Sequence, residues 1–259
     1  DRILETLDRN DVKATFFIVG WVAENCPTIA RKISEFGHEV ASHSYWHRAV
    51  SKLNAEEFRK DLSRSIDVLE QQTGQKVRGF RAPGFSITPD MNWAFETMLD
   101  LGLEYDASLL AKQPMSSISD SVVVTESGRR LPEIPCNLFQ ACKLGVPYSG
   151  GGYFRLLPKA VVRHLMHEQN RRGVPNILYL HPRDFAVDCP RVPLPLMRRF
   201  KSFYGLESTQ DKLETVLQEF TWGTCASVLG LDRITNPAPA PVPMPVPVSM
   251  PAMSLSYAR

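Results

Sequence analysis

The sequence contains no apolar run of about 18 residues or more, the length that a transmembrane helix needs. It also contains no block of basic residues, and 30 Lys and Arg against 28 Asp and Glu give a net charge of +2. Capture of nucleic acid by charge is therefore not indicated. The five cysteines include no Cys-x-x-Cys pair, which excludes a zinc or redox site of that type.

Two further features predict a cytoplasmic protein. Residues 1–20 lack the basic, apolar and small-residue pattern of a secretory leader. An odd number of scattered cysteines indicates reduced and mostly buried thiols, which are typical of the cytoplasm.

The chain has 259 residues, of which 43% are hydrophobic and 22% charged, as is typical of a globular protein. One (β/α) barrel of about 250 residues fits this length, and so do two smaller domains. Residues 235–259 differ, because seven of these 25 residues are proline and only Arg259 is charged. Proline at alternate positions fixes φ and removes backbone donors, so we predict a disordered, extended tail. A ligand for an aromatic-lined groove is the alternative.

Before the tail, predicted strands alternate with predicted helices. Apolar, β-rich segments predict strands at 14–19, 39–42, 77–81 and 176–180. Helices of about ten residues or more lie between strands, and Asn54 with Glu57 three residues later marks the start of one. This alternation indicates an α/β fold with parallel strands, in which chemistry lies at the carboxyl ends of the strands.

Two histidines follow the second strand in the segment His43-Ser44-Tyr45-Trp46-His47. On one helical turn, residues four apart face the same way, so both imidazoles could reach one metal ion. An exposed or capping histidine pair is the alternative. The position directly after a strand favours the metal site.

Candidate residues also follow the third and fourth strands. Arg81 begins the segment Arg81-Ala82-Pro83-Gly84, and an arginine there can orient a carboxylate through two hydrogen bonds. The turn at Gly84 frees backbone N–H groups for an oxyanion, although a plain β-turn with a surface arginine is the alternative. His181 follows the fourth strand and could act as general acid or base, or be satisfied by a backbone group.

These three segments, in this order, resemble the second, third and fifth motifs of NodB-type polysaccharide deacetylases, carbohydrate esterase family 4. The third of them reads Leu178-Tyr179-Leu180-His181-Pro182. Residues 14–20 and 37–43 resemble the strand and loop that lead to the second motif. The resemblance covers roughly residues 1–185. Residues 186–231 resemble the C-terminal extension of a subgroup from exopolysaccharide gene clusters linked to PEP-CTERM protein sorting.

The resemblance implies an irregular (β/α) barrel that hydrolyses N-acetyl amides on the sugars of a polysaccharide or oligosaccharide. It implies that His43 and His47 bind a divalent metal, zinc first, with cobalt or nickel as alternatives. Arg81 would hold an aspartate that acts as base. The N–H of Gly84 would help to bind the oxyanion, and His181 would protonate the departing amine. Neither nucleic acid nor a membrane span is expected.

The family's first motif, a Thr-Phe-Asp-Asp-like segment that supplies the base and a third metal ligand, has no counterpart here. Asp8 and Asp11 lie between a helix and a strand, at the wrong end of a barrel. We therefore expect a missing first strand, through truncation rather than natural loss, and an impaired enzyme. Tyr105-Asp106-Ala107-Ser108 lies where the fourth motif belongs but lacks its second Asp and its Trp, so Asp106 is either functional or a structural cap.

The expected organisation is an incomplete deacetylase domain at 1–185, an extension packed on the barrel at 186–234, and the tail at 235–259. A metal-dependent polysaccharide N-deacetylase is the favoured function. A non-catalytic saccharide-binding or scaffold protein and an O-acetyl esterase on the same barrel are the alternatives. Trp46 and the segment 150–154 could form a sugar platform in either of the first two.

Overall fold

The computed structural model describes residues 1–110, 121–136, 138–141, 144–190, 193 and 195–233. The predicted disordered tail at 235–259 and Cys142 lie outside the described residues. The four cysteines within them, Cys26, Cys136, Cys189 and Cys225, are free thiols. In this part of the chain no helix combines the length and hydropathy needed to cross a bilayer.

A four-stranded parallel sheet organises the first part of the chain, with its strands in sequence order. The strands are β1 (Thr15–Ile18), β2 (Glu39–Ser42), β3 (Gly79–Phe80) and β4 (Tyr105–Asp106). The helices are α1 (Arg2–Arg9), α2 (Gly20–Asn25), α3 (Thr28–Glu35), α4 (Ala55–Thr73) and α5 (Asn92–Asp100). Because all four strands run the same way, the loops after them meet at one edge of the sheet.

The remainder of the described chain has two hairpins and five α-helices, besides short 3-10 helices. The hairpins join β5 (Val122–Val124) to β6 (Arg130–Pro132) and β7 (Leu138–Ala141) to β8 (Leu144–Pro147). The helices are α6 (Gly151–Leu156), α7 (Lys159–Arg171), α8 (Leu196–Phe203), α9 (Leu206–Glu219) and α10 (Cys225–Val228). The strand predicted at 176–180 is reduced to one parallel bridge between Tyr179 and Gly150. Pro175 and Pro182, which have no N–H groups, border this segment and prevent a ladder from extending beyond it.

Helix α4 forms as the sequence predicts. The Asn54 side chain accepts a hydrogen bond from Glu57 N at 2.9 Å, and the Glu57 carboxylate accepts one from Asn54 N at 3.0 Å. The helix ends at Gly74, whose φ of 65° is left-handed. Its apolar face packs into the main core beside the sheet, through Phe58, Leu62, Ile66 and Leu69.

A second core joins the beginning of the described chain to its far end. Leu7 and Val12 pack with Val162 and Met166 of α7 and with Leu213, Val216 and Leu217 of α9. Arg9 also pairs with Glu214 at 3.0 Å, and the Gln210 side chain donates to the Thr6 hydroxyl at 2.7 Å. Each fully buried aliphatic side chain contributes about 1.5–3 kcal/mol, so this core is a large part of what stabilises α1.

Candidate active site

The segment 43–47 after β2 is a tight loop and not a helical turn. Ser44 and His47 have φ angles of 64° and 56°, in the left-handed region. The expectation of one helical turn is therefore wrong, because two left-handed residues interrupt helical geometry. The loop still brings the two imidazoles together, with the ring centroids of His43 and His47 5.0 Å apart and the planes at 71°.

A buried carboxylate on α4 holds this loop in place. Asp61 is 8% exposed, and its two oxygens accept hydrogen bonds from Tyr45 N at 2.6 Å and Trp46 N at 3.1 Å. Ser65, one turn further along α4, donates from its hydroxyl to Ser44 O at 3.2 Å. Hydrogen bonds from backbone N–H groups to a charged acceptor are stronger than neutral ones, so Asp61 fixes the backbone between the histidines.

The start of α2 supports the other side of the loop. Gly20 N donates to Ser44 O at 2.9 Å, and Trp21 N donates to Tyr45 O at 3.1 Å. A Cβ atom on Gly20 would lie 2.8 Å from the Tyr45 ring, so only glycine permits this approach. Two helices therefore hold the loop: α2, which follows β1, and α4, which precedes β3.

His43 is held in a defined chemical form. Its Nδ1 lies 2.6 Å from Arg81 O, and because a carbonyl only accepts, Nδ1 carries the proton and Nε2 keeps its lone pair. The pKa of His43 is lowered to about 4, mainly by burial and to a lesser extent by electrostatic interaction with His47, Arg81 and His181, while the hydrogen bond to Arg81 O opposes the shift. His43 is therefore neutral near pH 7, as a metal ligand must be.

Arg81 extends from the end of β3. Its backbone N donates to Ser42 O at 3.0 Å, and its Nε donates to Ala107 O at 2.9 Å. The guanidinium carbon lies 4.4 Å from the ring centre of Phe17 and 6.0 Å from that of Phe85. The backbone contacts and the stacking on Phe17 fix the direction of the guanidinium group.

Gly84 lies in the short 3-10 helix Pro83–Phe85, in a left-handed conformation with φ of 63°. A Cβ atom there would meet nothing within 4 Å, so the conformation and not the space favours glycine. Phe85 is also left-handed, with φ of 53°. The turn is thus strongly bent and leaves Gly84 exposed beside the arginine.

His181 approaches the same region through a series of ring contacts. The ring centroids of Phe85 and Tyr179 are 5.3 Å apart, and those of Tyr179 and His181 are 6.2 Å apart. Phe85 also contacts Arg81, as described above. The side chain of His181 is 59% exposed, which leaves it accessible to a ligand.

Asp106 lies deeper, at the end of β4, and is fully buried. It accepts a hydrogen bond from the Ser108 hydroxyl at 2.5 Å, and that hydroxyl accepts one from Ala82 N at 2.8 Å. Glu133 is buried beside it and accepts from Leu109 N at 2.9 Å. Burial raises the pKa of Asp106, and burial together with the charge of Asp106 raises the pKa of Glu133 well above its usual range. Burial and the closeness of the two carboxyl groups therefore both favour their protonated forms.

Two residues of this region were not identified from the sequence. Asp61 has a visible signal, since it falls on the apolar face of α4 between Phe58 and Leu62, where a charge is unexpected. Asp184, three residues after His181, accepts a hydrogen bond from His181 N at 2.9 Å. Its signal is the three-residue spacing that is typical of a capping box.

The histidine pair suits a divalent metal. His43 offers an imidazole Nε2 whose opposite nitrogen is fixed by a carbonyl, the arrangement that orients metal-bound histidines. His47 lies beside it at the ring distance given above. The described ranges contain no group of three or more His, Cys, Asp or Glu side chains that could hold a metal ion.

Solved structures share this fold. A polysaccharide deacetylase homologue from Mycobacterium smegmatis is 23% identical, with a TM-score of 0.58 over 94% of this chain and 80% of that one. A family 4 carbohydrate esterase pseudoenzyme from Bacillus anthracis is 21% identical, with a TM-score of 0.52 over 88% of this chain and 59% of that one. The fold is therefore the irregular (β/α)-barrel-like α/β fold of these structures, as predicted. The predicted absence of a first strand stays a prediction.

The family assignment comes from sequence. Residues 1–105 match the polysaccharide deacetylase family, and residues 112–230 match a domain of unknown function (DUF3473). Over its first 105 residues, which are less than half of its length, the chain is therefore similar to polysaccharide deacetylases.

Curated relatives agree with this assignment over part of their length. A peptidoglycan-N-acetylglucosamine deacetylase of Bacillus cereus is 33% identical over 96 residues, which are 37% of this chain. The match spans 35% of that enzyme, so the chain corresponds to about a third of this relative.

Proposed function

We propose that this chain forms part of a metal-dependent hydrolase that removes N-acetyl groups from the amino sugars of a polysaccharide, in exopolysaccharide biosynthesis. The observation that carries the proposal is the hydrogen bond between His43 Nδ1 and the carbonyl oxygen of Arg81. It joins the loop after β2 to the end of β3, while ring contacts join the same strand end to His181. The family assignment supports the reaction class.

His43 and His47 would hold the divalent cation, with zinc favoured and cobalt or nickel as alternatives. When bound, such a cation supplies Lewis-acid chemistry. The neutral state of His43 supports this role, because a protonated imidazole cannot bind a metal.

The remaining residues would act on protons and charge. Arg81, fixed by Ala107 O and Phe17, would orient the carboxylate of an aspartate base. The Gly84 N–H would donate to the oxyanion that forms from the acetyl carbonyl. His181 would protonate the nitrogen of the departing amine, which leaves poorly unless protonated.

The aspartate base can be tested by complementation. We expect that fusing a Thr-Phe-Asp-Asp-type strand segment ahead of Asp1 produces release of acetate from N-acetylglucosamine oligomers and from N-acetylated exopolysaccharide. The matched control is the same fusion with both aspartates of the added segment changed to asparagine. Acetate released only from O-acetylated xylan would favour the esterase alternative. Saccharide binding by both fusions without any release would favour the scaffold alternative.

Metal binding has a test of its own in the unmodified chain. We expect weak Zn²⁺ affinity, and a further loss of about tenfold or more in His43→Ala, since a ligand is removed. Competition with a chromogenic chelator measures both affinities. His164→Ala, an exposed histidine on α7, should leave the affinity unchanged. Equal affinities in His43→Ala and the unmodified chain would remove the pair as ligands.

A further inference from the structure

The residues around His181 form a second polar cluster, separate from the histidine pair. His181 precedes a short 3-10 helix, Pro182–Phe185, in which Asp184 is only 2% exposed. Asp184 Oδ2 accepts from His181 N at 2.9 Å and lies 3.7 Å from His181 Nδ1. One carboxylate oxygen therefore faces both the backbone and the ring of the same histidine.

Arg155 of α6 fixes that carboxylate from the other side. Its Nε lies 3.0 Å from Asp184 Oδ1, and both side chains are at most 5% exposed. A Cβ atom on Gly151 would lie 2.1 Å from Asp184 Oδ2, so the glycine leaves the space that the carboxylate occupies. Asp184 is thus confined in position as well as paired in charge.

Arg155 is itself held by backbone carbonyls. Its Nη1 donates to Tyr204 O at 2.8 Å and is 3.4 Å from Ser202 O, at the end of α8. Lys212 Nζ of α9 donates to Arg155 O at 2.8 Å and so fixes the arginine backbone. The helices that follow His181 in the chain therefore determine where the arginine lies.

A buried ion pair of this kind is a weak source of stability, because two charges must be taken out of water. What such a pair does provide is a fixed position of the two side chains relative to each other. Burial alone would raise the pKa of Asp184, but hydrogen bonds from His181 and the charge of Arg155 outweigh burial and lower it. Asp184 therefore stays ionised and keeps attracting a proton on the nearby Nδ1.

We propose that Asp184, clamped by Arg155, is the positioning residue for His181. Its Oδ2 binds the His181 backbone N–H and lies 3.7 Å from Nδ1, so its negative charge favours a proton on Nδ1 and thereby presents Nε2 to the departing amine. The proposal rests on the proposed function for its catalytic meaning, while the clamp itself is a property of the folded chain. The proposal also assigns a role to residues 112–230, which match the domain of unknown function. Arg155, Asp184 and the carbonyls at 202 and 204 all lie within them.

Nitrogen NMR of His181 in the unmodified chain tests directly whether Asp184, held by Arg155, determines the position of the ring proton. At a pH where the ring is neutral, we expect its proton on Nδ1, with Asp184→Asn shifting the proton towards Nε2. Asp188→Asn, an exposed aspartate four residues further on, is the matched control and should leave the spectrum unchanged. Because Asp184→Asn removes the buried negative charge beside Arg155, the double variant Arg155→Met with Asp184→Asn is measured as well. Identical ring-nitrogen shifts in the folded double variant and the unmodified chain would overturn the proposal.

Activity in the complemented fusion separates this inference from the proposed function. Asp184→Asn should lower kcat about tenfold with little change in KM, because the acid is misplaced while substrate contacts remain. A normal kcat in that variant would overturn the positioning role. An NMR change in a fusion that releases no acetate would retain the clamp and reject the proposed function.

Discussion

We expect His181→Ala, introduced into the complemented fusion, to lower turnover of N-acetylated oligosaccharide by about 100-fold or more and to leave Zn²⁺ affinity unchanged. The loss is large because an amine departs slowly unless its nitrogen is protonated as the C–N bond breaks. Metal affinity is spared because His181 is not one of the two proposed metal ligands, His43 and His47. Steady-state acetate release and chelator competition measure the two quantities.

The leaving group provides the internal control for this prediction. An aryl acetate departs as a stabilised phenolate and needs no acid, so its hydrolysis should fall by much less in His181→Ala. His164→Ala, at an exposed position on α7, should behave like the parent fusion with both substrates. Equal losses on the amide and the aryl ester would show that His181 supports the site without donating the proton.

We expect Asp61→Asn to destabilise the protein by about 3 kcal/mol and to weaken Zn²⁺ binding. The amide can accept from only one of the two N–H groups, so either Tyr45 N or Trp46 N is left buried without its partner. The charge that strengthened both hydrogen bonds is also lost. Urea unfolding followed by tryptophan fluorescence measures the change in the free energy of unfolding, and chelator competition measures the metal.

The matched control lies on the same helix. Asp67 is exposed, so Asp67→Asn should change the free energy of unfolding by no more than about 0.5 kcal/mol. If Asp61→Asn were as mild as Asp67→Asn, the carboxylate would contribute nothing to the loop between the histidines. A stability loss with full metal affinity would instead confine its role to folding.

The parts of the fold that could be predicted are those coded by local pattern. The apolar run at 14–19 gave β1, and the pair Asn54 and Glu57 gave the start of α4, because strand burial and helix capping depend on neighbours in sequence. The strand expected at 176–180 did not form a ladder. Its pairing depends on Gly150, a partner nearly thirty residues away that no local pattern reveals.

The site shows the same division. The residue types at 43, 47, 81 and 181 could be selected, because strand ends are where α/β folds place chemistry. The loop geometry could not, since the left-handed conformations of Ser44 and His47 follow from the distant contacts with Asp61 and Gly20. The pairing of Asp106 with Glu133 could not be predicted either, because the two residues come from different segments and meet only after folding.

The packing of α1 on α9 also determines when α1 can complete its contacts during synthesis of the chain. Arg9 and Glu214, which pair across that contact, are separated by 205 positions in sequence. At about 5–20 residues per second, the ribosome needs roughly 10–40 s to make the intervening chain. During that interval Leu7 and Val12 have no aliphatic partners from α9 and stay open to chaperones or to wrong neighbours. Helix α1 is therefore made well before the side chains of α9 that complete its packing.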